Sequence, residues 1–136
     1  MILRDPYALA RRYKTTDPFL ISRELNISVI FADLGSHTKG FYIRKLRRRA
    51  IFIHENLDYV WQRLVCAHEL GHDRLHPGFS RFWLDEQSFY NPGKYERQAN
   101  NFAVHLLTAG DTLSEGESVI NLLRRNGIPE VMHTFY

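Results

Sequence analysis

At 136 residues with one cysteine and a net charge of +3, the chain has room for a single hydrophobic core and excludes an internal disulfide. No apolar run reaches the ~20 residues of a membrane span, and the opening residues carry no signal-peptide core. A single-domain cytoplasmic protein covering residues 1–136, with no membrane partner, is therefore the expectation.

Residues 6–13 suggest a short amphipathic helix, with Tyr7 and Ala10 on one side and Arg11 and Arg12 exposed. Asp17 and Pro18 then cap a second helix running to about Leu25. Its tail superficially suggests the first half of a helix-turn-helix. Val29, Ile30 and Phe31 follow as a strand signal, so no recognition helix is available and sequence-specific nucleic-acid binding is not expected. Two more apolar runs, 41–43 and 50–53, flank Arg44, Lys45, Arg47, Arg48 and Arg49. This reads as a β-hairpin with a solvated basic tip; the alternative is a patch recruiting an acidic partner, or nucleic acid held by a substrate. The strand Ala50, Ile51, Phe52 and Ile53 leads directly toward the next helix, and chain order makes it a candidate edge for an extended peptide.

Residues 56–76 read as a helix, with Asn56 or Asp58 able to cap its start and Pro77 and Gly78 forbidding its continuation. Trp61, Leu64, Val65, His68, His72 and Leu75 fall at helical spacing, so the two histidines continue a stripe that faces the core. Two imidazoles four residues apart share one helix face and can address one metal ion, with Glu69 between them as a general base. A pair of core histidines satisfied by backbone carbonyls is the plainer reading. Three adjacent buried polar groups all need partners, however, and one divalent cation satisfies both rings at once. His76 lies eight residues beyond His68, a rise of about 12 Å, so it cannot complete the same ligand set. The third ligand must come from another segment. Cys66, inside this helix, reads as a small buried hydrophobe.

The connector 77–92 is long and aromatic, carrying Phe79, Phe82, Trp83, Phe89 and Tyr90. It either lines a cleft or covers an exposed edge of the core. Asn91 and Pro92 open a further helix that runs to about Thr108, with Tyr95, Ala99, Phe102, Ala103 and Leu106 as its apolar stripe. Glu96 borders that stripe and Asn100 stands one turn on. This suits a carboxylate ligand followed by an amide that accepts a ligating histidine's outer N–H, and equally an acidic residue at a helix start. Asp85 and Glu86 are weaker rivals for the ligand. Ser114 and Glu117 form a capping box for a last helix, which buries Val119, Ile120, Leu122 and Leu123 and ends at Gly127. Strands near one end and helices after them indicate an α+β domain with a small antiparallel three-stranded sheet.

The segments HELGHDRLHP at 68–77 and ERQANNFAVHLL at 96–107 resemble the ImmA/IrrE family of bacterial metallo-endopeptidases. The resemblance extends over roughly residues 17–107 and implies a zincin-like fold of thermolysin-like, gluzincin topology. It implies one Zn2+ per chain held by His68, His72 and Glu96, with Asn100 behind a ligand and Glu69 as catalytic base. Tyr90, Tyr95 and His76 are the candidates for stabilising the oxyanion, whereas His54 and His105 read as structural. By the same resemblance the substrate is a helix-turn-helix repressor of a mobile element or stress response, so the protein would act as an anti-repressor. A non-catalytic zinc-stabilised interaction module and a toxin-like intracellular protease are the alternatives. Leu106, Leu107, Thr108, Ala109 and Gly110 replace the family's usual L-L-M-P, so the path beyond them is not carried over from the resemblance. Oligomeric state is not legible.

Overall fold

The computed structural model describes residues 3–136. Helices α1 (Pro6–Tyr13) and α2 (Pro18–Glu24) each begin with an Asp-Pro pair: Asp5 and Asp17 accept the backbone N–H two residues on, and proline fills the first turn. Strands β1 (Ser28–Ala32), β2 (Thr38–Lys45) and β3 (Arg48–His54) follow. Next come α3 (Tyr59–Leu75), β4 (Arg81–Asp85), the short α4 (Gln87–Tyr90), α5 (Lys94–Leu107), α6 (Val119–Arg125) and a 3₁₀ segment, Glu130–Phe135. Asp58 caps α3 by accepting from Trp61 N, so Asn56 has no part in it. Gly93, rather than Asn91, precedes α5, and Ser118 caps α6. Ser114 and Glu117 do bond to each other, but as a turn ahead of that helix.

The domain is α+β, with a mixed sheet of four strands in the order β1-β3-β2-β4. The expected three antiparallel strands are corrected on two counts. β1 runs parallel to β3, and the aromatic connector supplies β4, antiparallel to β2. With neighbours on both sides, β3 is central, so Ala50, Ile51, Phe52 and Ile53 have no free edge to offer a peptide. The free edges belong to β1 and β4.

One sheet face, built from Gly40, Tyr42, Ile51, Ile53 and Leu84, is buried and lies toward α3. The other carries the row Ile30, Phe52, Phe41 and Trp83, one residue from each strand, with the three rings stacked at 4.4–4.5 Å between neighbours. Helix α3 is the centre of the core, wholly buried at Leu64, Val65, Cys66, Ala67 and Leu70, and it packs chiefly on α5. Gly40 permits the close approach of sheet and helix. A Cβ there would meet Val65 Cγ1 at 2.5 Å and Phe52 O at 2.8 Å. Gly40→Ala is therefore expected to cost about 1–3 kcal/mol by overpacking, measured as a lowered midpoint in urea.

The basic hairpin divides. Lys45, Arg47 and Arg48 are exposed at the tip beside Leu46, which takes the left-handed φ of 57°. Arg44 turns inward to donate to Pro77 O, and Arg49 donates to both oxygens of the buried Asp73 at 2.9 and 3.1 Å. Asp73 also accepts from the Tyr42 phenol at 2.6 Å and from Arg74 at 2.6 and 2.9 Å. This network ties β2 and β3 to α3 next to His72. Burial would raise the Asp73 carboxyl, but the phenol and the two guanidiniums outweigh it and hold it below the usual range. Its stabilisation is thus complete above the ordinary aspartate value of about 3.9 and is lost as pH falls through the lower folded value. Asp73→Asn should cost about 2 kcal/mol at neutral pH. Unfolding curves of variant and wild type should converge in strong acid.

Candidate metal centre

The C-terminal half of α3 carries His68, Glu69 and His72, all wholly buried. On α5, Glu96 opens the helix and faces them across the α3–α5 contact. Gly71 permits that contact: a Cβ there would sit 3.1–3.2 Å from Phe102 atoms, so the helices meet closely beside His72. The result is a tight convergence. His68 Nε2 and His72 Nε2 are 3.1 Å apart; Glu96 Oε1 is 2.7 Å from His72 Nε2 and Oε2 is 3.1 Å from His68 Nε2. Atoms of His68, Glu69 and His72 also lie within 4.8 Å of one another.

Asn100, fully buried, donates from Nδ2 to Ser88 O and so turns its Oδ1 toward His68 Nδ1, 2.8 Å away. His68 therefore gives Nδ1–H to Asn100, and its Nε2 faces Glu96. Burial brings His72 down to about 4 despite its bond to Glu96, so this ring is neutral at physiological pH. Glu96 is held well below the usual carboxylate range, because its bonds to the two histidines outweigh the desolvation that would raise it.

Glu69 is different. Neither of its oxygens has a hydrogen-bond partner among the described residues, although both are buried; His68 Nε2 stands 3.7 Å from Oε1. Burial, then the Glu96 charge, pushes its pKa well above the ordinary value. A buried carboxyl with no partner is costly, and it stands beside three converging donors. For bonds near 2.0–2.1 Å, the ligand atoms of a tetrahedral ion are about 3.3 Å apart. Two imidazole nitrogens and a carboxylate at 2.7–3.1 Å thus fit a small divalent cation of the zinc type.

Aromatic side chains wall the site. Phe82 of β4 stacks on the His72 ring with centroids 3.7 Å apart, and Phe89 of α4 lies edge-on to His68. The connector lines the centre through Phe82 and Phe89, while Trp83 points outward from the sheet. In β4 the inward Phe82 and Leu84 alternate with the outward Arg81, Trp83 and Asp85, a period-two signal masked by the apolar Trp83.

The oxyanion candidates separate. Tyr90 is 69% exposed at the end of α4, and Tyr95 packs edge-on to His76 at 4.7 Å. Both ring nitrogens of His76 are taken, by His72 Nδ1 and Gln98 Oε1. Gln98 is a residue that sequence reasoning missed, since an exposed glutamine two positions after a ligand candidate carries no local signal. Asp85 accepts from Ser88 N, and Glu86 is exposed, so neither joins the cluster. His54 Nδ1 meets Leu34 N, and His105 Nδ1 the Tyr7 hydroxyl, both away from the site. Burial pushes the Cys66 thiol up to about 12, as befits an inert packing residue.

Residues 22–119 match the Peptidase_M78 family, described as the IrrE N-terminal-like domain. The chain is also similar to the "uncharacterized immunity region protein 2" of Bacillus phage phi105. The two are 35% identical over 143 residues, which cover 96% of this chain and 90% of that protein. Among the described residues no helix is long and apolar enough to cross a membrane.

Proposed function

Since the chain belongs to the Peptidase_M78 family of IrrE N-terminal-like domains, we propose that it is a zinc-dependent endopeptidase acting inside the cell on a DNA-binding transcriptional repressor. The observation that carries the proposal is the convergence of His68 Nε2, His72 Nε2 and the Glu96 carboxylate beside the unpartnered Glu69. The repressor as substrate is supported by the relative's name, which places that protein in a phage immunity region.

In this reading His68, His72 and Glu96 hold the ion, and Asn100 orients His68. Zinc supplies a Lewis acid that polarises a peptide carbonyl and brings the pKa of water toward about 7. Glu69 takes a proton from the attacking water as the new C–O bond forms. It then delivers that proton to the amide nitrogen as the C–N bond breaks. A carboxyl whose pKa is raised by burial holds the proton it takes more firmly than an ordinary glutamate before returning it. Phe82 and Phe89 keep the histidine rings shielded, which strengthens every charge interaction in the site.

The scissile segment must be extended to reach Glu69. In place of the central β3, the free edge of β4 is the strand that can pair with it, since Phe82 of that strand already touches His72.

Metal analysis of the purified protein, coupled to incubation with candidate repressors, tests the proposal. One zinc per chain is expected, with cleavage abolished by a chelator and restored by zinc. Protein that takes up no zinc, or cleavage indifferent to chelation, would overturn it.

A further inference from the structure

We infer that His76 and Gln98 form a positioning relay that fixes the tautomer of His72 and so keeps its Nε2 available as a metal ligand. The inference rests on the reading of His72 as a ligand and extends it to two side chains outside the ligand set.

His76 terminates α3 and is 5% exposed, its backbone N–H bonded to His72 O at 2.9 Å. Its Nδ1 lies 2.9 Å from His72 Nδ1, and its Nε2 lies 2.7 Å from Gln98 Oε1. A nitrogen–nitrogen contact of that length requires one proton between the two atoms. The amide oxygen of Gln98 only accepts, so the Nε2 of His76 carries a hydrogen. When His72 Nε2 holds a cation, the hydrogen of that ring sits on Nδ1, and His76 Nδ1 accepts it. His72 Nε2 is directed at the point it shares with His68 and Glu96.

Without Gln98, His76 is free to hold its proton on Nδ1 instead. It would then donate to His72 Nδ1 and oblige that ring to carry its proton on Nε2, where it competes with a cation. Phe79, Phe82 and Tyr95 pack around His76, with ring centroids 4.7–6.3 Å away, and confine its ring. The two histidine ligands are thus served in parallel: Asn100 and Ser88 O set His68, and His76 and Gln98 set His72. His76 accordingly acts through His72 and does not touch substrate, which removes it from the oxyanion candidates.

The test is zinc affinity by competition with a chromophoric chelator, measured on the full chain. Gln98 is exposed, so Gln98→Leu leaves the core intact. It should weaken zinc binding by about 10- to 100-fold, the usual effect of losing a group behind a ligand. Gln98→Glu should keep wild-type affinity, because its carboxylate oxygen accepts the same bond. His76→Phe fills the same space without an acceptor and should match Gln98→Leu. NMR of the zinc-loaded protein should show a slowly exchanging His72 Nδ1–H in wild type and Gln98→Glu that is lost in His76→Phe. Stoichiometric zinc in wild type with undiminished affinity in Gln98→Leu and His76→Phe would overturn the relay alone. Wild-type protein that binds no zinc would overturn the ligand reading, and the relay with it.

Discussion

Glu69→Gln is expected to retain stoichiometric zinc and bound substrate while turnover falls by about 10²- to 10⁴-fold, the usual cost of losing a general acid–base. The amide has the size of the carboxyl and, with neither oxygen of Glu69 hydrogen-bonded among the described residues, the substitution breaks no bond. What it removes is the proton acceptor. It also removes a destabilising charge: the folded pKa of Glu69 is raised by burial and by Glu96, so ionising it above the unfolded value of about 4.3 works against folding. The variant should therefore unfold at the wild-type temperature or above it near neutral pH, and a lost activity could not be blamed on a lost fold. Single-turnover cleavage assays, zinc content and thermal melts read the three quantities separately. A variant that still relieves repression without cleaving the repressor would identify a zinc-stabilised binding module and sink the peptidase.

Glu96→Ala is expected to lower zinc affinity by more than about 100-fold, beyond the 10- to 100-fold typical of groups behind the ligands. The two imidazoles would remain in place, because Asn100 and His76 hold them independently of Glu96. Two neutral nitrogens without an anionic third donor make a poor site for a dication. Glu86→Ala is the matched control, an exposed carboxylate on the neighbouring turn that should leave zinc content unchanged. Equal zinc in both variants would dismiss Glu96 as a ligand and send the search for the third donor elsewhere.

Much of this architecture was legible because it is local. An aspartate before a proline supplies both the cap and the first turn, so α1 and α2 could be placed to within a residue or two. The stripe from Trp61 to Leu75 follows from helical periodicity, and the paired apolar runs around the basic turn follow from strand pairing across a tight connection. Strand β4 was not legible, since Trp83 on the solvent face disguised its alternation, and its stacking on Phe41 depends on a strand forty residues away. The parallel pairing of β1 with β3 is non-local too: nothing in either segment states which way its neighbour runs. The basic cluster shows the same limit, as Arg49 and Lys45 look alike until one reaches Asp73 and the other water.

The order of residues by itself determined that His68, Glu69 and His72 share one buried helix face, because a helix repeats every 3.6 residues whatever surrounds it. It likewise placed Glu96 and Asn100 one turn apart. Whether those two faces meet was decided only in three dimensions, where Gly71 against Phe102 lets α3 and α5 close until a carboxylate lies 2.7 Å from an imidazole. Tertiary packing also decided that β4, and not β3, carries the free edge, and that His76 is spent on His72. Periodicity is written within a segment; distance between segments is set by the side chains that fill the space between them.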